Sequence, residues 1–117
     1  MGVAGSVKLL AAGAAWRIAG LDAAGRTLVD AAADDAESEQ MLAGMLLVKA
    51  GNRSVPLVAN ALSAGVTSLE LVDVLASIGT TYARDALGDL AASAEGEVAA
   101  AAADAIRTLD EMNHGGP

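Results

Sequence analysis

The stretch LVDVLASIGTTYARDALGDL, residues 71–90, decides the fold of this chain. Leu71 and Leu75 begin an apolar series whose spacing places the side chains on one face of an α-helix. Gly79 follows that series, in the position where glycine commonly ends a helix. A second amphipathic segment starts beside Thr80, a residue type favoured at helix N-termini. The stretch therefore predicts two consecutive amphipathic helices.

The same pair of helices recurs along the chain at a constant offset of 28 residues. The apolar positions of the first helix coincide in three copies: Ala43, Leu47 and Ala50; Leu71, Leu75 and Ile78; Ala99, Ala103 and Ile106. Those of the second helix coincide in two copies: Val55, Val58, Ala59 and Leu62; Ala83, Ala86, Leu87 and Leu90. A repeat made of two helices is the mark of an α-solenoid.

Helix-capping residues, glycines and apolar periodicity together predict seven helices: 3–18, 23–33, 36–49, 53–63, 68–78, 81–93 and 96–112. The short connections require successive helices to run antiparallel. We therefore expect one layer of helices 36–49, 68–78 and 96–112, a second layer of 23–33, 53–63 and 81–93, and an N-terminal cap. The prediction is a single all-α domain over residues 1–112, followed by a flexible tail over 113–117. A short right-handed α-solenoid is the favoured architecture, and a compact helical bundle is the alternative.

The composition excludes several classes of function. Apolar residues make up 54% of the chain, but there is no Phe and no Cys, and the single His114 lies near the C-terminus. Thiolate and histidine metal sites are therefore not expected, and a serine nucleophile would lack a histidine base. Paired carboxylates on single helix faces are interpreted as solvated surface. We predict no enzymatic activity and no cofactor.

The net charge of −8 predicts that the chain does not bind nucleic acid, because a phosphate backbone needs a basic surface. It would suit a basic partner or simply keep an alanine-rich protein in solution. The longest uncharged stretch, residues 54–69, is too short to cross a bilayer and contains Pro56 and Gly65. We therefore expect no membrane association and a cytoplasmic location.

The pattern of small and apolar positions over residues 36–112 resembles the short HEAT-like repeats common in bacteria. It differs from them after the glycine between helices, where the family often has Asp and this chain has Asn52 and Thr80. The resemblance implies that the second helix of each pair lines a concave surface that binds another protein. On that surface we expect the partner-binding residues Leu57, Asn60, Arg84, Asp85 and Gly88.

Self-association is a competing use of the apolar N-terminal helix, through Leu9 and Trp16 together with Leu10 and Ile18. The favoured function is a protein-interaction module, acting as an adaptor or assembly subunit. The alternative is an acidic inhibitor or immunity-type protein that binds a basic partner through Asp85, Asp89, Glu95 and Glu97. A bilin-lyase-like chaperone or enzyme subunit is a third hypothesis. The residue usage is typical of GC-rich bacterial genomes.

Overall fold

A computed structural model describes residues 2–33, 37–94 and 96–114 of the chain. These residues form seven α-helices and no strand: α1 Gly2–Ala14, α2 Asp22–Ala33, α3 Glu37–Lys49, α4 Val55–Ser63, α5 Leu69–Ile78, α6 Thr81–Ser93 and α7 Gly96–His114. A π-helical turn, Ala15–Ala19, extends α1, and a 3₁₀ turn, Gly51–Ser54, leads into α4. The all-α prediction is confirmed. α7 continues to His114, and residues 115–117 of the predicted tail lie outside the described residues.

The ends of the central helices are fixed by two capping side chains and a glycine. Ser68 and Thr80 accept hydrogen bonds from the backbone N–H groups of Leu71 and Ala83, which begin α5 and α6. Gly79 ends α5 in the left-handed conformation, with φ at +65°. Most residue types are strained in that conformation, so glycine allows the sharp reversal between the two helices.

The helices contact one another in two series. α1, α3, α5 and α7 are neighbours in that order, and α2, α4 and α6 form the second series against them. The pairing of α4 with α6 agrees with the predicted layers. α1, which we expected to be a cap, packs on α3 as a further member of the first series. This arrangement is compatible both with a short stack of helix pairs and with a compact bundle.

The core lies between the two series and is built from leucine, valine and alanine. Its largest fully buried apolar side chains are Leu28, Leu47, Leu71, Leu75, Leu87, Leu90, Val55, Val58, Val72 and Val74. The 28-residue offset holds for Leu47 with Leu75 and for Leu62 with Leu90, all of which are buried. Of the apolar positions that the repeat predicted for residues 43–90, most are buried, whereas Ala50, Ala59, Ile78 and Ala86 are only partly buried.

The offset is wrong for α7. Ala103, which corresponds to Leu75, is exposed, whereas Val98 and Ala102 are buried. The buried face of α7 is therefore turned by one residue, about 100° around the helix. α7 is the last of its series and contacts α5 on one side only, while its most extensive contacts are with α6. An end helix can turn its apolar stripe toward its partner because it has no further neighbour to satisfy.

Candidate binding surface

A largely apolar groove runs between α3 and α5. We call it the α3–α5 groove; it encloses about 410 Å³. Its lining residues are Met41, Gly44, Met45, Val48, Lys49, Glu70, Asp73, Val74 and Ser77. Met41 and Met45 lie one helical turn apart, and more than half of each side chain is exposed. The groove therefore has apolar walls and a few charged groups at defined places.

α3 and α5 run parallel to each other along this groove. The side chain of Glu70 lies over Gly44. Beyond the C-terminal ends of the two helices, the hydroxyl of Thr80 donates a hydrogen bond of 2.5 Å to Oδ1 of Asn52. The later residues of one segment thus contact the later residues of the other. Glu70 lies in the first turn of α5 and Asp73 near its middle, while Lys49 is the last residue of α3. The groove therefore carries two acids on α5 and one base at the C-terminal end of α3.

The absence of a side chain at Gly44 makes room for the Glu70 carboxylate. A Cβ atom on residue 44 would come to 2.5 Å from Oε2 of Glu70. This position against α3 is partly buried, and burial together with the nearby charge of Asp73 raises the pKa of Glu70 above its ordinary value. Burial and Asp73 disfavour the ionised carboxylate, an effect that a neighbouring cation would offset.

A second groove adjoins the first on the same side of the molecule. The α5–α7 groove encloses about 540 Å³ and is lined by Asp73, Ala76, Ser77, Gly79, Ala105, Thr108, Leu109 and Met112. Asp73 and Ser77 line both grooves, so the two lie side by side with α5 between them. Met112 is 70% exposed and completes a set with Met41 and Met45. We call this combined area the methionine surface.

The residues that the sequence proposed for partner binding do not form one patch. Asn60 and Asp85 line a groove of about 290 Å³ between α4 and α6, together with Tyr82 and Asp89. We call it the α4–α6 groove. Leu57 is partly buried and points instead toward α2, where its Cδ2 atom leaves no space for a side chain on Gly25. Two of the five residues therefore share a groove, and Leu57 lies elsewhere.

Arg84 and Gly88 lie on the side of α6 that faces α7. Nε and Nη2 of Arg84 each donate a hydrogen bond of 2.8 Å to the carboxylate of Asp110. This bidentate pair raises the pKa of Arg84 and holds its guanidinium against α7. A Cβ atom on Gly88 would contact Ile106 of α7. Both residues thus contribute first to the packing of α6 on α7.

The two residues proposed for self-association are inside the molecule. Leu9 is 3% exposed and Trp16 is 5% exposed, whereas Leu10 and Ile18 are exposed. The indole N–H of Trp16 donates a 2.9 Å hydrogen bond to Oγ of Ser54, whose hydroxyl donates one of 2.8 Å to the carbonyl of Leu47. The prediction that Leu9 and Trp16 mediate self-association is therefore corrected: both pack inside the molecule. Leu10 and Ile18 are the exposed apolar residues of the N-terminal segment.

The described residues include neither a metal-binding cluster nor a membrane-spanning helix. No group of three or more His, Cys, Asp or Glu side chains among them could hold a metal ion. Within the described ranges, no helix combines the length and the apolar character needed to cross a membrane. Asp34, Asp35 and Glu95, which the sequence places in acidic runs, lie outside the described residues.

The methionine surface is not among the sequence predictions, although the sequence carries a signal for it. Ala43 and Leu47 belong to the predicted core, and Met41 and Met45 are each two positions away from one of them. Two positions correspond to about 200° around a helix, so both methionines had to face outward.

Comparisons of the chain with protein-family models, with curated proteins and with solved structures each find no match.

Proposed function

We propose that this chain is a protein-interaction module, an adaptor or assembly subunit without catalytic activity of its own, and that it binds its partner on the methionine surface. The observation that carries the proposal is the exposure of Met41 and Met45 in one groove and of Met112 in the adjacent one. Exposed apolar side chains gathered in one area commonly mark interaction sites. Methionine is flexible and polarisable, so it adapts to a partner's surface.

The polar groups around the methionines suit this function. Glu70, Asp73 and Lys49 line the α3–α5 groove together with apolar residues, and Ser77 adds a hydroxyl between the two grooves. An apolar centre with a polar margin is how protein interfaces concentrate their binding energy. The groove is open along its length, so it suits a segment of another protein.

We also propose that the helices form a short HEAT-like stack, as the resemblance of residues 36–112 suggests. The hydrogen bond between Asn52 and Thr80 supports the idea, because it joins two positions 28 residues apart in the repeat. In such a stack the first helix of each pair would form one face. The proposed binding site would then lie on that face rather than on the one expected from the family. A bacterial cytoplasm is the proposed setting.

A comparison of two matched variants tests the proposal. Met45→Glu places a charge in the α3–α5 groove, and Tyr82→Glu places the same charge at a half-exposed position in the α4–α6 groove. Both proteins, checked for unchanged helicity, would be used as baits in a lysate of the source organism, with quantification by mass spectrometry. We expect Tyr82→Glu to retain the partner that Met45→Glu loses. Retention of every partner by Met45→Glu would contradict the proposed surface.

The second candidate function is an acidic inhibitor that acts through the α4–α6 groove. Asp85 and Asp89 line that groove one helical turn apart, beside the exposed amide of Asn60. An inhibitor of this kind would depend on long-range attraction, so its association rate would fall steeply as salt rises. Loss of the captured partner in Asp85→Asn/Asp89→Asn, but not in Met45→Glu, would favour this function over the adaptor.

A further inference from the structure

We propose that the partner segment bound in the α3–α5 groove is a basic amphipathic helix. A Lys or Arg of that helix would pair with Glu70 and Asp73, and an apolar side chain one turn away would pack on Met41 and Met45. This inference rests on the proposed function and specifies the chemistry of the partner.

The charges of the groove point to a cationic group at a defined place. Glu70 and Asp73 are one turn apart on α5, and both line the groove. Lys49, the cation that lines it, is at the far end of α3, and it forms no ion pair with either acid. The two carboxylates therefore repel each other without a neutralising partner. A cation placed between them would offset both the cost of burying the Glu70 carboxylate and its repulsion by Asp73, the two causes of its raised pKa.

The shape of the groove favours a helix as the bound element. Its walls are two parallel helices, and its lining on α5 extends from Glu70 to Ser77, about 10 Å at 1.5 Å per residue. That length matches two turns of a third helix lying on the two. Glu70 lies over the buried Gly44, so its carboxylate is held against α3 at a position between Met41 and Met45 in the sequence of that helix. Amphipathic helices bind apolar grooves through residues spaced three and four apart.

The net charge of −8 favours a basic partner over a second copy of this chain. Two copies would repel each other at long range, whereas a basic segment would be attracted. An acidic segment is disfavoured as well, because its carboxylates would lie next to those of Glu70 and Asp73. The methionine walls then supply the apolar contact that attraction between charges does not provide.

The test uses the full chain and a synthetic amphipathic helical peptide composed only of leucine and lysine. The protein carries ¹³C-methyl methionine, and each methyl signal is assigned by single Met→Leu substitution. We expect the Met41 and Met45 signals to shift and saturate as the peptide is added. A peptide of the same pattern in which glutamate replaces lysine should shift neither.

Two double variants with the same change in charge separate the groove from the general acidity of the chain. Glu70→Lys/Asp73→Lys alters the α3–α5 groove, and Asp85→Lys/Asp89→Lys alters the α4–α6 groove. We expect the first to weaken peptide binding about tenfold or more and the second about threefold or less, because close charge pairs contribute far more than distant ones. Circular dichroism confirms that both remain folded.

Three results would overturn the inference. The first is an equal loss of peptide affinity in both double variants, and the second is peptide binding without a shift of the Met41 or Met45 signals. The third is a shift of these signals that depends on protein concentration without peptide, which would identify a second copy as the occupant.

The proposed function fails separately. If Met45→Glu abolishes capture of the cellular partner while Glu70→Lys/Asp73→Lys does not, the surface binds a protein that is not basic. If Met45→Glu leaves capture unchanged, the surface itself is wrong.

Discussion

Ser54 shows how a single residue can connect three parts of this molecule. It is fully buried at the start of α4, accepts a hydrogen bond from Trp16 and donates one to the carbonyl of Leu47. No buried side-chain nitrogen or oxygen among the described residues is left without a partner. Buried polar groups are costly unless they are paired, so this serine fixes the end of α1 against α3.

Ser54→Ala should lower the free energy of unfolding by about 1–3 kcal/mol, because it leaves the indole N–H of Trp16 buried without an acceptor. Urea unfolding followed by the fluorescence of Trp16, the only tryptophan, measures the change directly. Ser63→Ala, at an exposed position of α4, is the control and should change stability by less than about 0.5 kcal/mol. Equal effects of the two substitutions would show that the Ser54 hydrogen bonds do not stabilise the fold.

Two buried glycines inside helices should respond to alanine in opposite ways. A Cβ atom on Gly25 would come to 2.8 Å from the Trp16 indole and 2.6 Å from Leu57, whereas one on Gly44 would meet only the end of the Glu70 side chain. Alanine favours a helix by about 0.5–1 kcal/mol over glycine. Overpacking a core costs about 1–3 kcal/mol.

Gly25→Ala should therefore destabilise the protein, because the indole cannot move without disturbing its hydrogen bond to Ser54. Gly44→Ala should be neutral or stabilising by up to about 1 kcal/mol, since the Glu70 side chain can rotate toward solvent. Thermal unfolding of the two variants beside the original protein tests the contrast. A destabilised Gly44→Ala would mean that Glu70 is held in place more firmly than its contacts indicate.

At the scale of the element, α5 combines a core face with the proposed binding face. Leu71 and Leu75 are fully buried, while Glu70 and Asp73 line the α3–α5 groove on the other side. The apolar periodicity predicted the first face from the sequence. The second depends on the position of α3, which places Gly44 under Glu70, and that position follows from packing rather than from the sequence of α5.

Glu70→Gln should stabilise the protein at pH 7 and have little effect in acid. The pKa of Glu70 is raised by burial and by Asp73, so the folded state binds the proton more tightly than the unfolded state does. Folding stability therefore falls as the pH rises from below the unfolded value, about 4.3, through the higher folded value. The penalty is complete at neutral pH, and glutamine removes it.

The measurement is the free energy of urea unfolding between about pH 3 and 7, a range that spans ordinary carboxyl pKa values. The gain from Glu70→Gln should shrink as the pH falls. The charge of Asp73 is one cause of the raised pKa of Glu70, so Asp73→Asn should reduce the gain. Asp85→Asn, at an exposed position of α6, reports the general effect of removing one negative charge. A gain that does not depend on pH would contradict the assigned cause.

At the scale of the whole molecule, the helices were predictable and their outer faces were not. Glycines and capping residues such as Gly79 and Thr80 act locally, so helix bounds could be read from neighbouring residues. The burial of Trp16 depends on Ser54, 38 positions away, and the pairing of Arg84 with Asp110 depends on the turn of α7. Contacts between distant residues decide which side chains remain free to bind, and no local pattern reports them.

Hydrogen exchange should show whether the molecule behaves as a stack of repeats. α5 contacts helices of both series, α2, α3, α4, α6 and α7, whereas α1 contacts chiefly α2 and α3. In a stack, stability is a sum of neighbouring interfaces, so the ends open before the middle. We expect amides of α1 to exchange faster than those of α5, and Leu9→Ala, which weakens the packing of α1, to speed exchange in α1 alone. A bundle opens as one cooperative unit. Equal acceleration of α1 and α5 in Leu9→Ala would therefore exclude the stack and leave the compact bundle as the architecture.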